Sequence, residues 1–283
     1  MAESGTMAFA NTHIVDTYAK FRPAPPASLI RAVVQRVTQG QHKAGASGGD
    51  AAQVCVDMGC GSGQNTALLA PHFATVVGVD VSQPQLDMAK RMQRDVGNVS
   101  FRVGSAEAMP FDAESVNLVT CSASVHWFNL DSFYQEVDRV LCPGGVLACY
   151  SYLGCTPICR GRSLRDTFLQ IWHDLGAYWT EKHNFLLEEY ATLPQLYPDD
   201  THVGSSEGGF IVSSEDSMEG VVGYMASWSA LDKLRRKEGE EAAMTFLTKA
   251  KKRLLAAAGT EDEQVPITRQ HKYFLRMWQK PSP

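Results

Sequence analysis

The stretch VCVDMGCGSGQ, Val54 to Gln64, decides how this chain is read. An apolar run of strand type breaks into glycines at Gly59, Gly61 and Gly63, with an acid, Asp57, two residues ahead of the first. A strand-to-helix turn at the carboxyl edge of a parallel sheet is the usual ligand position in open α/β folds. Three missing side chains let the backbone approach a ligand and permit positive φ. The helix that follows offers free N–H groups, which suit a carboxylate or a phosphate. Asp80 closes the next apolar run, about 20 residues on, where an acid accepts hydrogen bonds from ribose hydroxyls in nucleotide sites.

Two kinds of ribose-bearing ligand fit that arrangement. A dinucleotide asks for G-x-G-x-x-G, but position 64 is Gln64 and the third glycine comes one residue early. Asp57 would also stand against a pyrophosphate, and that repulsion grows in a low-dielectric cleft. The same acid suits a ligand with an ammonium and a sulfonium, an adenine, a ribose and no phosphate. That description is S-adenosylmethionine (SAM).

Outward from the turn the rhythm is regular. Short apolar runs alternate with helical patterns: QVCVD then TALLAPHF, TVVGVD then PQLDMAKRM, NVSFRVG, VNLVTCS then LDSFYQEVDRVL, and GVLACYSYL. Alternation of this kind predicts a mostly parallel sheet with helices on both faces. The strands are nearly continuous apolar runs, as expected when both sheet faces are covered. Upstream, Leu29, Ile30, Val33, Val34 and Val37 fall at helical spacing, and TQGQHKAGASGGD reads as a linker. Downstream, SLRDTFLQIWHDL and EEAAMTFLTKAKKRLLAAAG predict helices, residues 180–214 read as loop-rich, and ITRQHKYFLRMWQ alternates like a late strand.

Bulk properties narrow the classes. The 283 residues are 44% hydrophobic and 20% charged, ordinary for a globular protein, and the net charge of -5 leaves no basic excess for general nucleic-acid binding. No apolar run reaches the roughly 18 residues of a membrane span. The first thirteen residues lack the basic start and apolar core of a secretory signal, so a cytoplasmic protein is expected. Seven cysteines without metal-ligand spacing predict reduced thiols and no metal site.

The segments VDMGCGSGQ, VVGVDVSQPQLDMA, VGSAEAMPF and SVHWFNLDSFYQEVDRVLCPGGVL, in this order and spacing, resemble the class I SAM-dependent methyltransferases. YAKFRP near the N-terminus and YMASWSA near the C-terminus narrow the resemblance to the small-molecule group that includes trans-aconitate methyltransferase. The resemblance implies a Rossmann-like α/β fold: a mostly parallel seven-stranded sheet, helices on both faces and a helical cap. It implies a lid and linker at 1–49, a SAM-binding core at 50–152, and cap helices with sheet-completing strands at 153–283. Gly59, Cys60 and Gly61 would then lie against the methionine part and Asp57 face its ammonium. Asp80 would take the ribose hydroxyls, Val81 pack on adenine, and Ser105, Ala106 and Glu107 border the adenine edge. Many relatives carry Asp at the Ser105 position; here a hydroxyl stands in its place. Ser122 and Ala123 would flank the transferring methyl, and Tyr18 and Arg22 would form the lid.

The same resemblance implies a small-molecule acceptor, with a carboxylate oxygen as the expected target. His126 is a candidate base and Trp127 a candidate wall at the methyl; Tyr224, Ser227 and Trp228 are candidate substrate residues. Each also has a plain structural reading, Asp57 as a turn cap, His126 as a hydrogen-bonder, the tryptophans as core. No Asn-Pro-Pro-Tyr-type amino-methylating motif follows the fourth strand. The rival readings are another oxygen or carbon acceptor, an inactive SAM-binding interaction protein, and an NAD-dependent oxidoreductase. Asp57 and the early glycine speak against the last.

Overall fold

The structure, a computed structural model, describes residues 21–43, 53–207 and 209–282, of residues 42 and 43 the backbone alone. Helix α1 (Ala27–Lys43) precedes β1 (Val54–Met58), α2 (Gln64–Leu69), β2 (Thr75–Asp80), α3 (Gln83–Met92), β3 (Val99–Val103), β4 (Val116–Ser122), α4 (Leu130–Val140) and β5 (Leu141–Tyr152). After it come β6 (Thr156–Cys159), β7 (Arg162–Ser163), α5 (Arg165–Asp174), α6 (Asn184–Leu187), β8 (Asp199–Val203), β9 (Ile211–Ser217), α7 (Met218–Ala226), α8 (Ser229–Glu238), α9 (Glu240–Ala258) and β10 (Pro266–Gln279).

The sheet runs β3-β2-β1-β4-β5-β10, with β8 on the far side of β10. Strands β1 to β5 are mutually parallel and β10 enters antiparallel. This is the mostly parallel, Rossmann-like sheet that the alternation predicts. β10 is long enough to serve two layers. Its second half lies between β5 and β8, while Pro266–Lys272 pairs with β6 and β9 instead. From β1 the chain steps outward to β2 and β3, then returns to place β4 on the other side of β1. The crossovers diverge there, so a crevice opens above the carboxyl ends of β1 and β4.

Side-chain alternation explains why the strand sequences are apolar throughout. Cys55, Val76, Leu118, Val146, Ala148 and Tyr150 face one core, with α1 and the C-terminal helices. Their neighbours Val56, Val77, Val119, Leu147 and Cys149 face the other, with Phe133 and Val137 of α4. Both faces are covered, so neither can be polar. Among the described residues, no helix is long and apolar enough to cross a membrane.

Two expectations need adjusting. Helix α1 does not stop near Val37 but continues to Lys43, through residues that read as linker. Gly40 lies inside it because the helix presses on the sheet edge. A Cβ there would sit 1.7 Å from Gln279 Nε2 and 2.3 Å from the Gly144 carbonyl oxygen. The loop-rich stretch at 180–214 also contains β8 and the start of β9. Their residues are polar and partly exposed, so the alternation signal is weak.

A Gly40→Ala variant tests that contact. Alanine favours a helix by about 1 kcal/mol over glycine. Overpacking of a tight contact typically costs about 1–3 kcal/mol. The contact is expected to win, so Gly40→Ala should lower the urea midpoint; a raised midpoint would mean the helix stands off the sheet.

Candidate active site

All three glycines of the opening turn have left-handed backbone, with φ of 70° at Gly59, 53° at Gly61 and 79° at Gly63. Their surroundings differ. A Cβ on Gly59 would meet Ser124 Cβ at 2.5 Å, and one on Gly63 would meet the Phe101 ring at 2.8 Å. On Gly61 the nearest atom would be Gln85 Oε1, at 3.8 Å. Gly59 and Gly63 are therefore bare because protein packs on them. Gly61 is bare toward an open cleft.

Asp57 is wholly buried at the base of this turn. Its Oδ1 accepts from Asn65 Nδ2 at 2.8 Å and from Thr120 Oγ1 at 3.0 Å; its Oδ2 accepts from Thr66 Oγ1 at 2.6 Å. Burial pushes its carboxyl above the usual range, and the three donors pull the other way. Asp57 thus joins β1 to α2 and β4 as well as lining the cleft. Asp80 ends β2 with each oxygen on a backbone donor. Oδ2 accepts from Gly61 N at 2.9 Å and Oδ1 from Ser82 N at 2.8 Å. Burial raises its pKa as well, against the donors from Ser82 and Gly61.

Gly59, Cys60, Gly61, Val81, Ala106, Ser122 and Ala123 all line the same cleft, with Arg22 at its rim. Ser105 and Glu107 do not. The Ser105 hydroxyl donates to the Glu107 carboxylate, whose other oxygen accepts from Asn129 N at 2.9 Å at the start of α4. Tyr18 lies outside the described residues. Ala123 is a non-glycine residue at φ 55°, held by its N–H on the Tyr150 carbonyl at 2.8 Å.

A second cavity adjoins the first. Arg22, Ala123, Trp127 and Tyr152 belong to both. His126, Tyr224 and Trp228 line the second and not the first. Ser227 lines neither; it anchors Arg22, taking Nε on its hydroxyl at 2.9 Å and Nη2 on its carbonyl at 2.9 Å. Arg22 Nη1 donates to Tyr152 Oη at 3.2 Å. His126 Nδ1 lies 3.0 Å from Tyr190 Oη. Burial holds its pKa well below the ordinary histidine value, helped by nearby His183, Lys182 and Arg22, so the ring is neutral at pH 7.

Sequence reasoning did not single out Gln85, Tyr152, Trp172, Trp179 or His183. Gln85 was within reach, since it follows Asp80 on the first turn of α3, inside a quoted motif. Its Oε1 is buried without a hydrogen-bond partner, at the edge of the cleft. The other four fall between the end of β5 and α6, where the periodic signal is weak and nothing local marks them.

A family model described as a methyltransferase domain matches residues 56–149. A Dictyostelium discoideum protein named as a methyltransferase is 30% identical over 62% of this chain and 64% of its own length. The match thus spans under two thirds of that relative. A Schizosaccharomyces pombe protein, an uncharacterized methyltransferase, is 29% identical over 66% of this chain and 69% of its own. A solved structure from Anaeromyxobacter dehalogenans, described as a type II methyltransferase, superposes with a TM-score of 0.71 at 26% identity. The superposition covers 93% of this chain and all of that one.

Glycine substitutions separate packing from ligand contact. Gly63→Ala should destabilise the fold strongly, because backbone strain of about 1–2 kcal/mol adds to the Phe101 clash. Gly61→Ala should cost little beyond that strain while blocking the cleft. Thermal melts of both, beside ligand titrations of Gly61→Ala, check this; equal melting losses would refute the distinction.

Proposed function

We propose that the chain is a class I SAM-dependent methyltransferase that methylates a carboxylate oxygen of a small molecule held in the second cavity. The observation that carries the reading is the junction of the two cavities at Arg22, Ala123, Trp127 and Tyr152. One cavity suits the methyl donor, and the other shares those four lining residues with it but not Val81 or Ala106.

The residues present fit SAM. Gly61 leaves a bare face toward the cleft, and the orphaned Gln85 Oε1 awaits a donor there. Asp80 keeps lone pairs for ribose hydroxyls beyond its two backbone donors. Asp57, Asp80 and the unpaired amide oxygen favour a ligand rich in donors and positive charge over a diphosphate. When bound, SAM supplies an electrophilic methyl carbon: an acceptor lone pair forms the C–O bond, the C–S bond breaks, and its electron pair stays on sulfur as a neutral thioether.

The chain's own work is then mostly positioning, which can supply about 7–11 kcal/mol. Arg22 draws an anionic acceptor to the junction. Trp127 lines both cavities and keeps water from the reacting carbon. A carboxylate is already ionised at pH 7 and needs no general base. His126, neutral and bonded to Tyr190, serves the acceptor as a hydrogen-bonding wall. Under this reading residues 50–152 are the SAM-binding core, 153–283 form the cap and finish the sheet, and 1–49 act as the lid. The setting is cytoplasmic, with no nucleic-acid partner.

Calorimetry with SAM, S-adenosylhomocysteine and NAD is the direct test. Micromolar binding of the two sulfur ligands and none of NAD is expected. In Asp80→Ala, loss of charge-assisted hydrogen bonds worth about 1.5–3 kcal/mol should weaken SAM at least tenfold; undiminished affinity in a folded variant would remove the ribose assignment.

The pH profile is a second check. Because burial keeps His126 neutral and His183, lowered to about 4, behaves likewise, neither titrates near neutrality. With a carboxylic acid as acceptor, kcat should be level between pH 6 and 8. A basic limb rising with a midpoint near 7 would point to a base and to a different acceptor.

A further inference from the structure

We propose that the acceptor is an aromatic acid with a single carboxylate, its ring lodged among the tryptophans of the second cavity. This rests on the methyl-transfer reading above and names the class of molecule that site takes.

Four of the chain's five tryptophans line that cavity: Trp127, Trp172, Trp179 and Trp228. They come from separate places, after β4, on α5, beyond α5, and between α7 and α8. Trp172 and Trp179 stack at 4.7 Å and 22°. Trp179 lies 5.8 Å from Trp228 and 4.6 Å from the His183 ring, and Trp127 meets His183 edge-on at 5.5 Å. Core packing accounts for Trp172 and Trp228, which are 8% and 3% exposed. Trp127 and Trp179 are only partly buried and border the cavity, with one side of Trp179 packed against that same core. The Trp179 indole N–H is already spent on the Trp172 carbonyl at 3.0 Å, so the ring offers a ligand carbon surface alone. Rings arranged in stacked and edge-on pairs favour another aromatic ring beyond simple area burial.

Charge sets the other half of the ligand. Among the described residues lining this cavity there is no Asp or Glu, and Arg22 is its one cation. Lys182 adds positive charge nearby, its Nζ on the Trp127 carbonyl at 2.7 Å. A cationic acceptor would meet two like charges in a desolvated site. One carboxylate finds its counter-charge in Arg22, beside the cavity junction. A second and third would find no further cation among the described residues lining the cavity, because the histidines are neutral. The cavity is therefore a poor match for a small tricarboxylate and a good one for a ring bearing one acid.

The test uses the whole chain with S-adenosylhomocysteine present. Tryptophan-fluorescence quenching would report binding of trans-cinnamate, its saturated analogue 3-cyclohexylpropanoate, and trans-aconitate. Cinnamate should bind several-fold tighter than the saturated acid and at least tenfold tighter than the tricarboxylate. Trp179→Ala should weaken cinnamate at least tenfold with SAM affinity retained, and Trp179→Phe should keep most of the binding. Tighter binding of trans-aconitate would overturn the proposal, as would unchanged cinnamate affinity in Trp179→Ala. Methyl-labelled SAM provides the second arm, and the labelled methyl ester of cinnamate is the expected product. Label moving to a phenol or amine that lacks a carboxylate would overturn the acid half. Cinnamate bound in the expected pattern by a protein that binds no SAM would uphold the cavity assignment and sink the methyltransferase reading. SAM binding without cinnamate binding would do the reverse.

Discussion

The buried carboxylate of Asp57 holds the rest of the structure in register. Three donors converge on it, from Asn65 and Thr66 at the start of α2 and from Thr120 on β4. Asn65 is fixed from its other end, because Tyr150 of β5 donates to its Oδ1 at 2.7 Å. One side chain on β1 thereby ties together a helix and two further strands. A buried carboxylate needs such donors, and losing one hydrogen bond to a charged group typically costs about 1.5–3 kcal/mol. The turn between Asp57 and Asn65 is for that reason a rigid cradle, although its glycine content alone would suggest a mobile loop.

From that anchor the two cavities follow by topology. β1 and β4 are neighbours whose crossovers leave in opposite directions, which opens the crevice at their carboxyl ends. Backbone and carboxylates line its inner side. The chain that fills the outer side arrives from elsewhere: Arg22 from the N-terminal segment, Trp172 and Trp179 from the stretch after β5, Trp228 and Ser227 from beyond β9. The strained backbone of Ala123, a cost on the order of 1–3 kcal/mol, falls at the seam between them. A side chain larger than alanine there would project into one cavity or the other, and a residue buried in β4 could not reach both.

How legible this was depends on how local the cause is. Strand runs and α4 are set by alternation and by one apolar face, so they are read directly from the sequence; Phe133, Val137 and Val140 of α4 are all buried. The Asp57 and Asp80 turn is likewise local, since both ends of its chemistry lie within a few residues of a glycine. Gly40 was misread as linker because its reason is a contact with Gln279 and Gly144. Glu107 turns to Asn129, and Ser105 follows it, through a capping contact that no spacing announces. Trp172, Trp179 and His183 acquire meaning only when distant segments meet.

That last group bears most on specificity, and it resides in the part of the chain with the weakest periodic signal. A cofactor cleft built from one sheet edge constrains a short, continuous stretch of sequence. The second cavity, built from four segments, constrains only the sum of what they bring. Tryptophan, arginine and neutral histidine can be supplied from many positions, provided Arg22 stays tethered to Ser227 and Tyr152 at the seam. The first cleft is thus fixed by backbone geometry and the second cavity by side-chain chemistry. One sheet can then keep the same cleft while the segments around the second cavity change what that cavity accepts.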